Sequence, residues 1–331
     1  MANFSTGQIA RHLYDMLAAR GPVRYLDDAD RPVGLTADLY VGHFWAFADI
    51  CSMNDFETRI AVYPVADPDR SRRTLRALAQ ELGLPSPDPY LPPLSFDHER
   101  TMSLADVVLV TGNSFTLSTF PDRWHSKIRL INYSVDAEVF SRPVDVERTN
   151  DLVFVATHCG MAKGFVDVLK TWSGIPKGQS TLHVVGRLEA PFDDMMQQHN
   201  TGSTVYEGWV DSDTEDYLKI LKACRFAYMP TWSEGQMGTL LEAVHAGCIP
   251  ITTRNAGLDD RVLEHCVIVE PRDILGQRAA IADALSWSEA QYEERRHLLL
   301  EATAAHQTWA SFEMTVQAAL EGATHKTVAV I

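Results

Sequence analysis

The chain has 331 residues, enough for two domains of ordinary size. Hydrophobic residues make up 46% of it, which supports real cores and excludes a disordered chain. The net charge of −15, with acidic residues in excess in both halves, argues against broad nucleic-acid binding, which needs a basic face.

In the first half, residues 9–19 read as a helix that Gly21-Pro22 ends. Residues 38–42, 58–63, 107–111 and 128–132 are apolar runs with strand character. Residues 70–82 read as a helix stopped by Gly83, with Leu75, Leu78 and Leu82 on its core side. The same helix carries Arg70, Arg72, Arg73 and Arg76 on more than one face. That is the pattern of a solvated helix, and the sharper reading is docking to an anionic membrane or an anionic acceptor. Residues 84–93 hold five prolines and read as a rigid loop, and the polar run 141–150 reads as an interdomain linker.

In the second half, residues 152–156, 182–185, 226–229 and 249–252 read as strands. Helices over 165–171, 215–223, 238–246 and 277–285 separate them. Alternating strands and helices predict an α/β chain with parallel sheets flanked by helices, in two Rossmann-like domains.

The segment from Ser233 to Pro250 carries the most chemistry. It places Glu234 in a glycine-containing loop with Gly235, Gln236 and Met237, then a helix from Gly238 and Thr239 that bears Glu242. Leu240, Leu241 and Val244 form the apolar stripe, and Gly247 and Pro250 mark its end before a buried strand. Free N–H groups at a helix start favour a diphosphate. A carboxylate one and a half turns further on is placed to accept ribose hydroxyls.

This string resembles the C-terminal signature of retaining glycosyltransferases of the family-4 type, glycosyl transferases group 1. The family pattern is Glu-Gly-x-Gly-x-x-x-x-Glu-Ala-x-x-x-Gly-x-Pro. Glu234, Gly235, Glu242, Ala243 and Gly247 fit it, while Gly238 and Pro250 are each displaced by one, Met237 taking the glycine's usual place and Ile249 the proline's. Further pieces follow in family order: Ala105-Asp106 to Ser114, Val135-Asp136 with Phe140, Leu152 to Ala156 with Lys163-Gly164, Leu182 to Gly186, and Gly208-Trp209-Val210.

The resemblance implies the GT-B fold, two Rossmann-like domains facing a cleft. It implies an acceptor-side domain over 1–145, a nucleotide-sugar-binding domain over 146–305, and a helix over 306–331 crossing back to the first. It implies a metal-independent hexosyltransferase-type enzyme (EC 2.4) that retains configuration and excludes water on closing. The donor is a nucleotide sugar such as a UDP- or GDP-sugar, used as substrate, with no cofactor. Lys163 would neutralise the departing diphosphate and Glu234 would face the sugar. Gly235, Gln236, Met237, Gly238, Thr239 and Glu242 would hold the nucleotide, with Trp209 and Val210 beside the base. The family places an arginine five or six residues before the lysine. Here that zone holds Thr157 and His158, so His158 or Arg187 would stand in. His43, in Tyr40-Val-Gly-His43-Phe-Trp45, resembles a His near the donor sugar.

The family also opens with a buried strand before its first glycine loop. Here Ser5-Thr6-Gly7-Gln8 is loop-like almost at once, so that strand is missing, minimal or supplied another way. A partner chain or a second copy is one way to complete the domain. The acceptor is a glycan, a lipid or a small molecule. Two other readings stand beside transfer: a nucleotide-sugar-binding or scaffold protein with impaired catalysis, and a GT-B nucleotide-sugar 2-epimerase.

Asp211-Ser212-Asp213 spells a metal-binding motif of another glycosyltransferase fold, but Asp213 reads better as a helix N-cap. The five cysteines show no metal or redox spacing. No signal peptide or membrane-spanning stretch is expected, which makes a cytoplasmic protein the default. Gly-x-Ser-x-Gly, Walker and Gly-x-Gly-x-x-Gly loops are all absent.

Overall fold

A computed structural model describes residues 5–26, 30–85, 97–176, 178, 180–188, 190–199, 202–321 and 329–330. Most of the expected proline-rich loop, from residue 86 on, lies outside them. The chain opens with α1 (Ser5–Ala18), β1 (Val23–Arg24), β2 (Thr36–His43), α2 (Phe44–Met53), β3 (Asp55–Tyr63) and α3 (Pro68–Leu82). Then come α4 (His98–Leu104), β4 (Val107–Thr111), α5 (Ser114–Thr119), β5 (Ile128–Ile131), α6 (Ala137–Ser141), β6 (Thr149–His158) and α7 (Phe165–Trp172). These are followed by β7 (Leu182–Arg187), α8 (Phe192–His199), β8 (Thr204–Gly208), α9 (Glu215–Ala223), β9 (Cys224–Met229), α10 (Gly238–His245) and β10 (Ile249–Thr252). The last are α11 (Asp260–Leu263), β11 (Val267–Ile268), α12 (Ile274–Leu285), α13 (Glu289–His306), α14 (Trp309–Glu321) and β12 (Ala329–Val330).

Two compact units result. The first holds residues up to 76, residues 86–133 and those from 308; the second holds residues 77–85 and 134–307. The polar run 141–150 therefore lies inside the second unit, leading from α6 into β6.

The first unit has a parallel sheet in the order β1-β12-β2-β3-β4-β5. Its central strands are apolar on both faces because helices cover both. The period of two sorts β2 accordingly. Tyr40 joins Phe44, Phe47, Phe56 and Tyr63 on one face, while Leu39 and Val41 join Ile9, Leu13, Phe312 and Val316 on the other. The expected loop at Ser5-Thr6-Gly7-Gln8 is instead the first turn of α1. The place beside β2 is filled by the C-terminal strand β12. Helix α14 packs in the same unit, where His12 stacks on Trp309 at 3.8 Å and bonds Glu313 at 2.9 Å. On α3, Arg70 donates to the Ser118 carbonyl at 3.1 Å and Arg72 pairs with Asp69 at 3.3 Å.

The second unit has a parallel sheet in the order β11-β10-β9-β6-β7-β8. The chain leaves β6 in one direction for β7 and β8, then returns to β6's other side with β9, β10 and β11. The order thus reverses between β6 and β9, and ligands of open α/β sheets bind beyond the strand ends at such a point. Among the described residues, no helix is long and apolar enough to cross a membrane.

Candidate functional site

Two loops meet at that reversal. Residues 159–164 follow β6, and residues 230–237 follow β9. Trp232 and Ser233 both donate backbone N–H bonds to the Ala162 carbonyl, at 2.8 and 3.2 Å, and the Thr231 hydroxyl donates to it at 2.8 Å. Gly164 makes this closeness feasible. It has φ 73° and precedes α7, and a Cβ there would sit 2.0 Å from the Pro230 oxygen. Each loop delivers one charge to the junction: Lys163 and Glu234 form an ion pair, their side chains 29% and 15% exposed.

A third loop, after β10, supports the second. Met237 donates its N–H to the Ala256 carbonyl at 2.9 Å, and Asn255 donates to the Thr231 and Trp232 carbonyls. Gly257, at φ 69°, lies so near Gly235 that a Cβ would fall 1.5 Å from the Gly235 oxygen. Gln236 and Met237 are buried. Met237 is the N-cap of α10 and offers no side-chain cap, so the helix presents its opening amides at Gly238 and Thr239 without one.

Glu242 lies on α10 and accepts a hydrogen bond from the Tyr217 hydroxyl at 2.5 Å. Burial pushes its carboxyl above the usual range, and the Tyr217 bond partly offsets that. The same burial, with Glu242 beside it, pushes the Tyr217 phenol up.

A further group gathers at the ends of β6, β7 and β8. His158 and Arg187 are register partners, and Cys159 donates its N–H to the Arg187 carbonyl at 2.9 Å. The Arg187 guanidinium lies over the Trp209 ring at 4.6 Å, and the Trp209 indole donates to Asp211 at 2.8 Å. Val210 packs against the core of the unit. Thr214, not Asp213, caps α9, accepting the Tyr217 N–H at 3.3 Å. A hydroxyl one residue later fits the cap, while Asp211 is engaged with Trp209.

The sheet thus brings Lys163 and Glu234 together, and separately His158, Arg187 and Trp209. His43 belongs to the first unit. It ends β2, precedes α2, and lies against Phe44 and Trp45, with ring centroids 4.6 and 5.3 Å away.

No local pattern singles out Asp167, which is 2% exposed on α7. Its carboxylate accepts from the Trp232 indole at 2.7 Å, the Arg272 backbone N–H at 2.6 Å and Gln277 Nε2 at 3.2 Å. No cation is among these three donors, and burial, the largest influence, raises its pKa despite them. Arg272 adopts φ 68°, a left-handed conformation unusual for arginine. Asp167 therefore anchors the loop that carries Glu234 through Trp232. Tyr217 was also missed as the partner of Glu242.

Residues 149–287, within the second unit, match the family model described as Glycosyl transferases group 1. Among solved structures, HepE from Anabaena, in complex with UDP and glucose, has a TM-score of 0.63 and 12% identity, covering 97% of this chain and 84% of its own. Sucrose-phosphate synthase from Thermosynechococcus elongatus gives 0.60 at 18% identity, covering 86% and 73%. The α,α-trehalose 6-phosphate synthase of Burkholderia multivorans gives 0.61 at 16%, covering 97% and 76%. At these identities the likeness is one of fold, and that fold is GT-B. No curated protein sequence matches the chain.

Proposed function

With the glycosyl transferases group 1 match over residues 149–287 as premise, we propose that this chain moves a hexose from a nucleotide sugar to an acceptor hydroxyl, with retention and without a metal. The observation that carries the reading is the Lys163–Glu234 pair at the sheet reversal, beside the opening amides of α10.

The donor's diphosphate would draw Lys163 away from Glu234. The ammonium and the helix amides then face the phosphates, and the freed carboxylate faces the sugar hydroxyls. As the bond from the anomeric carbon to the diphosphate breaks, negative charge grows where the cation and amides already point. The departing phosphate oxygen takes the acceptor's proton while the new carbon–oxygen bond forms on the same face. No side-chain base is needed. Glu242 would accept the ribose hydroxyls, and Arg187 with Trp209 would bound the base. The first unit would hold the acceptor, and His43, by the resemblance, would serve the donor sugar.

Nucleotide release from a panel of UDP- and GDP-sugars, with and without candidate acceptors, tests this. Turnover that depends on acceptor and falls in Lys163→Ala supports transfer. Turnover without any acceptor favours the epimerase. Binding without turnover favours a donor-binding protein, a reading supported by His158 at the strand end where the resemblance implies arginine.

A further inference from the structure

The first unit contains a cavity of about 130 Å³ at the carboxyl ends of β2 and β3. Its walls are Ile9 and Leu13 of α1, Val41 of β2, Ile50 of α2 and Val62 of β3, all buried and apolar. Val41, Gly42 and His43, at the carboxyl end of β2, line it together with Tyr25, which follows β1.

Two exposed aromatics stand by it. Tyr25 lines the cavity and is 52% exposed; Trp45, 51% exposed, lies edge-on to His43. An apolar space with aromatics and an imidazole at hand, at the carboxyl end of parallel strands, has the composition and place of a small-ligand pocket. Its size matches a dry cavity that accepts one benzene-sized group, roughly six carbons.

We propose that this cavity binds an apolar group of the acceptor, an aryl ring or short alkyl chain on a hydroxyl-bearing molecule. The assignment rests on the glycosyl-transfer reading. It places the acceptor among amphipathic molecules rather than purely polyhydroxylated ones.

The test uses the full chain with ¹³C-labelled isoleucine and leucine methyls. Phenyl β-glucoside and methyl β-glucoside, which differ only in the apolar group, are titrated in parallel. The phenyl compound is expected to bind about tenfold tighter or better and to shift the methyls of Ile9, Leu13 and Ile50. Ala46→Phe, which fills the space from α2, is expected to abolish the preference, with Ala10→Phe replacing it if the first variant does not fold. Equal binding of the two glucosides, or a preference that leaves those methyls unmoved, overturns the proposal. UDP and GDP are titrated into the same samples. Nucleotide binding without an aryl preference overturns this assignment alone. An aryl preference without nucleotide binding overturns the transfer reading, and with it the acceptor role, while leaving an aryl site.

Discussion

Replacing Asp167 with alanine removes the acceptor of three N–H donors, those of Trp232 and Gln277 buried and that of Arg272 part-buried. Gln277 Nε2 keeps a second partner, the Glu270 carbonyl at 2.7 Å, so the loss falls on the Trp232 indole and the Arg272 amide. A buried donor left without a partner costs about 1–3 kcal/mol. Two such donors, partly relieved by entering water, cost about 3 kcal/mol. For a domain of this size that is roughly 6–12 °C in Tm, read by scanning calorimetry. Asp167→Asn keeps an acceptor and serves as the contrast. The raised carboxyl pKa fixes the sign. A folded-state pKa above the unfolded one gives stability that is complete below the unfolded pKa and lost as pH rises through the folded one. The wild type therefore loses this contribution from the ordinary carboxylate range upward, whereas asparagine does not titrate. The stability of the wild type relative to Asp167→Asn should fall as pH rises from about 4 toward neutrality. An alanine variant melting within about 2 °C of wild type, or a wild type that gains stability relative to Asp167→Asn as pH rises, would refute the reasoning.

Gly257→Ala forces a Cβ to within 1.5 Å of the Gly235 oxygen at a left-handed φ. The loop bearing Glu234 must shift, so nucleotide affinity should fall at least about tenfold; unchanged affinity by calorimetry counts against the loop-buttress role. Lys163→Ala should lower kcat by roughly 10²–10³ if the lysine acts on the leaving diphosphate, and a change confined to KM would assign it to ground-state binding. Tyr217→Phe removes the bond that holds the Glu242 carboxyl down, so that carboxyl should titrate at still higher pH. Ribose hydroxyls need the ionised form. Nucleotide affinity should therefore rise with pH in both proteins, and later in the variant; coincident profiles would exclude Glu242 from the ribose.

Much of the sheet was legible because parallel strands covered on both faces are continuous apolar runs, as at Val107–Thr111 and Ile249–Thr252. The exposed and the shortest strands escaped. β8 leaves Val205 and Tyr206 exposed, and β1, β11 and β12 are two residues each, too short for any periodicity. Helix α13 was also missed, since its charged sequence buries only Tyr292, Leu299 and the polar Thr303 and leaves little apolar stripe. Around the candidate site, glycines and carboxylates announced themselves through local spacing. Asp167 did not, because its partners are 65, 105 and 110 positions away and only the fold brings them together. The same holds for Tyr217, which reaches Glu242 from 25 positions earlier.

The most direct test of the account is calorimetric titration of UDP, GDP and ADP into the wild type and Glu242→Ala. One nucleotide should bind the wild type, and the variant should lose about 1–3 kcal/mol of that binding, as expected when a hydrogen bond to a charged group is removed. Binding of none to either protein, or equal binding to both, would contradict the placement of a nucleotide-sugar donor on α10.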